Sequence, residues 1–108
     1  VRTRLRQVHV DGRLYAWRAT INRAGGGRSI RVRAWGEQDG CALQADLLAR
    51  TAGPGDGAYP DAADVRALIE HGLRHGWAPD VRGGTFVLSA AEHAERLRLP
   101  AFELTDLA

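Results

Sequence analysis

VHVDGRLYAWRATI, residues 8–21, is the stretch that decides how this chain folds. At its centre stands Asp11-Gly12, a strong signal for a type I′ hairpin, because both central residues of that turn need positive φ. The turn joins a strand over 5–10 to one over 13–21 and sets Val8 opposite Tyr15 and Arg6 opposite Trp17. Tyr15, Trp17, Ala19 and Ile21 then share one face, with Arg18 and Thr20 on the other, as expected of a half-buried strand. The first strand is less regular. Arg2, Arg4 and Arg6 have the parity of Val8 and Val10, so one face changes character midway. A bulge near Gln7, a position at the sheet margin, or a cation–π pair between Arg6 and Trp17 would each accommodate this.

Ala24-Gly25-Gly26-Gly27 reads as a loose hairpin tip. After it Ile30, Val32 and Ala34 alternate with Arg31, Arg33 and Trp35, the clearest period-two stretch in the chain. A turn follows over 36–40. Residues 41–48 alternate Cys41, Leu43, Ala45 and Leu47 against Ala42, Gln44 and Asp46; strand is the preferred reading, with a short helix as the alternative. The glycines and prolines of 51–60 mark a loop. The best helix comes next: Asp61 caps it, Asp64 favours the positive end of its dipole, and Val65, Leu68, Ile69, Gly72 and Leu73 form its apolar stripe. Gly76 is placed as the left-handed residue of a Schellman stop, with Trp77 after it and Pro79 preventing resumption.

A short strand over 85–89 and a second helix over 90–97, with Ser89-Ala90-Ala91-Glu92 as its capping box, complete the pattern. Pro100 closes that helix, and Phe102 and Leu104 can pin the tail to the core. The expected fold class is α+β: an antiparallel sheet of about four to five strands on one principal helix, with a short C-terminal helix. A chain of 108 residues suits one domain, 1–108.

Hydrophobic content of 44% and charged content of 26% are those of an ordinary soluble domain. No apolar run is long enough to span a membrane, and VRTRLRQ lacks the apolar core of a signal peptide. One cysteine, Cys41, excludes an intramolecular disulfide and fits a reducing compartment, so a cytoplasmic location is expected. Residues 1–36 hold nine arginines (Arg2, Arg4, Arg6, Arg13, Arg18, Arg23, Arg28, Arg31, Arg33) against Asp11 alone, a formal +8; residues 37–108 hold six arginines and twelve acids, a formal −6. Such a split can steer an anionic partner toward one end of the molecule. All fifteen basic residues are arginine. The fork of the guanidinium suits phosphate and carboxylate, yet G+C-rich coding explains the same usage.

His71 and His75 lie one helical turn apart, the spacing by which two imidazoles bind one zinc ion. A third ligand would have to come from His9, Cys41, His93 or a carboxylate, and nothing in the sequence brings one near. The pair therefore reads as a partly solvated border of the helix, and no cofactor is expected. Gly25–Gly27 lacks the Lys-Ser/Thr and the following helix of a phosphate loop. Cys41 and Ser89 have no base beside them in sequence, and the paired acids Asp61/Asp64 and Glu92/Glu95 suit helix first turns, so catalysis is disfavoured. The strongest constellation is Arg18, Arg31, Arg33 and Trp35. Basic residues interleaved with an aromatic on a sheet are the raw material of a single-strand nucleic-acid platform, although acids from the second half can neutralise them.

Two stretches look familiar: the opening Val10-Asp11-Gly12-Arg13-Leu14-Tyr15-Ala16-Trp17, and Asp64-Val65-Arg66-Ala67-Leu68-Ile69-Glu70 followed by Gly76-Trp77-x-Pro79 and Thr85-Phe86-Val87-Leu88. Over about residues 5–90 the chain resembles a family of small bacterial proteins of unknown function, with strand hairpins followed by helix, Gly-Trp-x-Pro and a strand. The resemblance implies a bacterial cytoplasmic domain with that element order and carries no catalytic residues across. The reading that follows is a non-catalytic interaction domain with an unidentified protein partner, immunity-like or regulatory. The alternative is a nucleic-acid-binding module using Arg18, Arg31, Arg33 and Trp35.

Overall fold

A computed structural model of the chain describes residues 5–22, 29–37, 39–49, 59–100 and 102–106. The glycine tip at 24–27, most of the 51–60 loop, and Arg2 and Arg4 lie outside the described residues. Strands β1 (Arg6–Val10) and β2 (Arg13–Asn22) form the expected hairpin, with Asp11 at φ 51° and Gly12 at φ 79°. Their register runs without interruption from Val10 opposite Arg13 to Arg6 opposite Trp17, so there is no bulge at Gln7. Arg6 keeps its inward parity because its guanidinium lies 5.9 Å from the Trp17 ring and 6.0 Å from that of Tyr59. Tyr15, Trp17 and Ala19 are buried, whereas Ile21, beyond the end of β1, is exposed.

β3 (Ser29–Trp35) pairs antiparallel with β2, and β4 (Ala42–Ala49) antiparallel with β3. The 41–48 segment is thus a strand, with Leu43, Ala45 and Leu47 all buried. Helix α1 (Ala62–Arg74) then carries the chain back to β5 (Thr85–Val87), which lies parallel to Ala42–Gln44 of β4. After the short helix α2 (Ala90–His93), β6 (Phe102–Thr105) pairs antiparallel with Asp46–Ala49 on the same edge of β4. Among the described residues the sheet therefore has six strands and one parallel pair, where about four to five antiparallel strands were expected. A crossover long enough to hold a helix lets β5 run in the direction of β4. The tail is more than a hydrophobic pin: Phe102 and Leu104 are buried because they belong to a strand.

The core lies between the inner sheet face and α1. Asp61 and Asp64 form a reciprocal capping box, each carboxylate accepting the other's backbone N–H at 3.0 Å. Val65, Leu68 and Ile69 are buried, and a Cβ on Gly72 would stand 2.9 Å from Leu43 Cδ1, so helix and sheet meet closely there. At the other end Gly76 adopts φ 108° and the Trp77 N–H donates to Gly72 O at 2.8 Å, the Schellman bond expected from Gly-Trp.

α2 is shorter than the 90–97 helix expected. Its regular hydrogen bonding ends at His93, and the chain goes on through a turn in which Arg96 N and Leu97 N both donate to His93 O, at 3.0 and 2.9 Å. Nor does Ser89 cap it with its side chain. The Asp106 carboxylate does so from beyond β6, accepting from Ala90 N at 2.6 Å and Ala91 N at 3.1 Å. Asp106→Ala is therefore expected to lower stability by about 1 kcal/mol, as loss of a cap does, and Ser89→Ala by only a few tenths. Urea unfolding of the two variants checks this; the reverse ranking would return the cap to Ser89.

Candidate functional site

The outer face of the sheet is built by residues of opposite parity to the core. Arg18 stands directly across from Arg33, and Ala16 across from Trp35. Like charges at facing positions repel. Here both guanidinium carbons lie 5.5 Å from the Trp35 ring centroid, and the negative face of the indole offsets the repulsion. Arg33 also donates to Thr85 Oγ1 at 3.3 Å, while its Nε is buried without a hydrogen-bond partner. Arg31 differs from both. It faces Asp46 across β3 and β4 and binds it through two bonds, Nε to Oδ1 at 2.9 Å and Nη2 to Oδ2 at 3.3 Å. That carboxylate raises the Arg31 pKa, first through the hydrogen bonds and then through its charge.

The structure thus brings Arg18, Arg33 and Trp35 into one cluster and leaves Arg31 internally neutralised. The bipolar charge is likewise reduced, because strands from the basic and acidic halves are neighbours in one sheet. Arg13 makes the second cross-link, donating to Asp80 at 2.6 Å and holding the Asp80 carboxyl below its usual range, chiefly by that hydrogen bond. Beside the Trp35 cluster lies an open groove of about 730 Å3 whose lining includes Leu5, Leu14, Ala16, Arg18, Trp35 and the acid Glu37. Leu5 is 59% and Leu14 42% exposed, and among the described residues no helix packs on this face. Leu14 is a lining residue that period-two reading could have flagged, since it stands at a solvent-facing position of β2.

On the other side of the sheet, the end of α1 carries His71 and His75, and α2 brings His93 to them. His71 Nε2 and His93 Nδ1 are 2.9 Å apart, so one donates to the other. The His71 and His75 rings stack with centroids 4.0 Å apart, and His93 stands edge-on to both. His75 Nδ1 lies 3.1 Å from the carbonyl oxygen of His71. His71 and His93 are buried and His75 half-buried, so the solvated border read for the His71/His75 pair holds for His75 and not for His71. Burial first, then His75, His93, Arg74 and Arg96, push the His71 pKa down to about 4, which keeps its ring neutral at physiological pH. His93 was among the ligands named from sequence, but only the tertiary contact between α1 and α2 selects it.

Cys41 and Ser89 are not joined to this cluster. The Cys41 thiol lies 3.7 Å from the Ala42 carbonyl and its own carbonyl accepts from Trp77 Nε1 at 2.9 Å. Among the described residues no helix is long and apolar enough to cross a membrane. Comparison with family models, curated proteins and solved structures finds no match to this chain.

Proposed function

We propose that the chain is a non-catalytic bacterial interaction domain, immunity-like or regulatory, that docks a segment of a partner protein on the open face of its sheet. The observation that carries this reading is the groove between Leu5, Leu14, Ala16 and Trp35, with Arg18 on its wall. Tryptophan and arginine are the residue types over-represented among side chains that dominate protein–protein binding energy. Arg18 and Arg33 pair with no carboxylate among the described residues, so the complementary segment is apolar with carboxylates beside it. The bacterial, cytoplasmic setting belongs to the same proposal and rests on the family resemblance and the lone cysteine.

The nucleic-acid alternative uses the same face and is less well supported. Asp46 already neutralises Arg31, and Trp35, the ring on which a base would stack, holds two guanidinium groups. Leu5, Leu14 and Ala16 offer nothing to a phosphate chain.

Panning a random displayed peptide library on the wild-type chain, with Trp35→Ala as the counter-selection, tests the proposal. It predicts enrichment of acidic, apolar-rich peptides whose affinity falls about tenfold or more on Trp35→Ala and on Arg18→Glu, at least 1.4 kcal/mol each. No enrichment over the counter-selection would contradict it. Binding of labelled single-stranded oligonucleotides with a steep inverse dependence on salt would give the face to nucleic acid instead.

A further inference from the structure

We propose that His71, His75 and His93 form a three-imidazole site for a divalent transition metal, zinc by the chemistry of its ligands. The site lies on the opposite side of the sheet from the groove and is independent of it. One nitrogen from each ring falls within 4.8 Å of the other two. Three imidazoles match the preference of zinc, which takes histidine nitrogens at about 2.0–2.1 Å in a tetrahedron. Two such ligands stand about 3.3 Å apart. His71 Nε2 and His93 Nδ1, now 2.9 Å apart, need only open by a few tenths of an ångström. The remaining gap, within 4.8 Å, is to His75, the half-buried member.

The proton inventory supports the same assignment. A carbonyl oxygen only accepts, so the contact with His71 O places the proton of His75 on Nδ1 and leaves the Nε2 lone pair for a metal. His93 presents Nδ1 to the cluster, and its Nε2 lies 3.7 Å from Glu92 Oε2. When a metal displaces the proton shared between His71 Nε2 and His93 Nδ1, that proton moves to the other nitrogen of whichever ring donates it, His93 Nε2 or His71 Nδ1. The bond lost is the imidazole–imidazole hydrogen bond; two metal–nitrogen bonds replace it and no proton need leave the protein. His75 thus has the outer carbonyl partner that orients a metal-binding histidine. The ion would tie the last turn of α1 to α2.

The test uses the full chain, stripped with chelator and titrated with zinc chloride by calorimetry, and in parallel with cobalt(II) followed by visible absorption. The expected result is one equivalent bound, intense tetrahedral cobalt bands, and a thermal midpoint that rises with zinc. His75→Ala and His93→Ala should each weaken binding at least tenfold. The exposed His9→Ala should leave it unchanged. Because His93 is buried and its replacement alters the packing of α2, the wild-type cobalt spectrum stands as a readout that needs no variant. Weak octahedral bands, absence of stoichiometric zinc, or zinc affinity unchanged in His75→Ala would each overturn the proposal.

Discussion

Trp77→Ala is expected to lower the unfolding free energy by about 3–5 kcal/mol, the range for deleting a buried aromatic ring. Trp77 is 3% exposed, and its ring lies 5.8 Å from that of Tyr15, tilted by 40°. Truncation opens a cavity where the hairpin, β4 and the end of α1 meet. It also orphans the Cys41 carbonyl, which now accepts the indole N–H at 2.9 Å. The backbone bond from Trp77 to Gly72 survives, so the helix still stops at Gly76. Trp77→Phe keeps most of the packing and loses the hydrogen bond with part of the ring volume, for a smaller loss of about 1–3 kcal/mol. Urea midpoints measure both. Near-equal losses for the two variants would mean that the hydrogen bond, and not the ring volume, holds this corner.

The second large effect is on the pH dependence of stability. The folded-state pKa of His71 is about 4, below the ordinary value of 6.5. The unfolded chain therefore binds the proton more readily than the folded one. The contribution is fully present above pH 6.5 and is lost as pH falls toward 4, on the order of 3 kcal/mol in all. Measured with chelator present, stability should fall with acidification through this window before most surface carboxylates titrate. His71→Gln, with no titrating ring at that position, should show a correspondingly flatter profile. A wild-type profile that is flat from pH 6.5 to 4.5, or a variant that keeps the full slope, would show that His71 is not held neutral.

Local chemistry made part of this fold legible in advance. The Asp11-Gly12 turn fixes the register of β1 on β2, and Asp61, Gly76 and Trp77 mark both ends of α1 by rules that act within a few residues. The errors came where distant residues decide. Asp106 displaced Ser89 as the cap of α2 although sixteen positions separate it from Ala90. β6 is only four residues long and its apolar pair reads equally well as a docked tail. The parallel β5 depends on where α1 delivers the chain, which periodicity does not record. In the sheet face the alternation correctly put Arg18, Arg31, Arg33 and Trp35 on one side. It was blind to the β3–β4 register, which gives Asp46 to Arg31. The histidine cluster needed a contact between α1 and α2 that no spacing encodes.

The central claim, that the open sheet face is where a partner docks, is tested most directly by mapping. A 15N-labelled chain titrated with the tightest selected peptide should show its largest amide shifts at Leu14, Ala16, Arg18, Arg33 and Trp35, with the Trp35 indole N–H among them. Residues of α1 and α2, on the far side of the sheet, should stay nearly still. Shifts confined to the helices, with the Trp35 indole unmoved at saturation, would contradict the account.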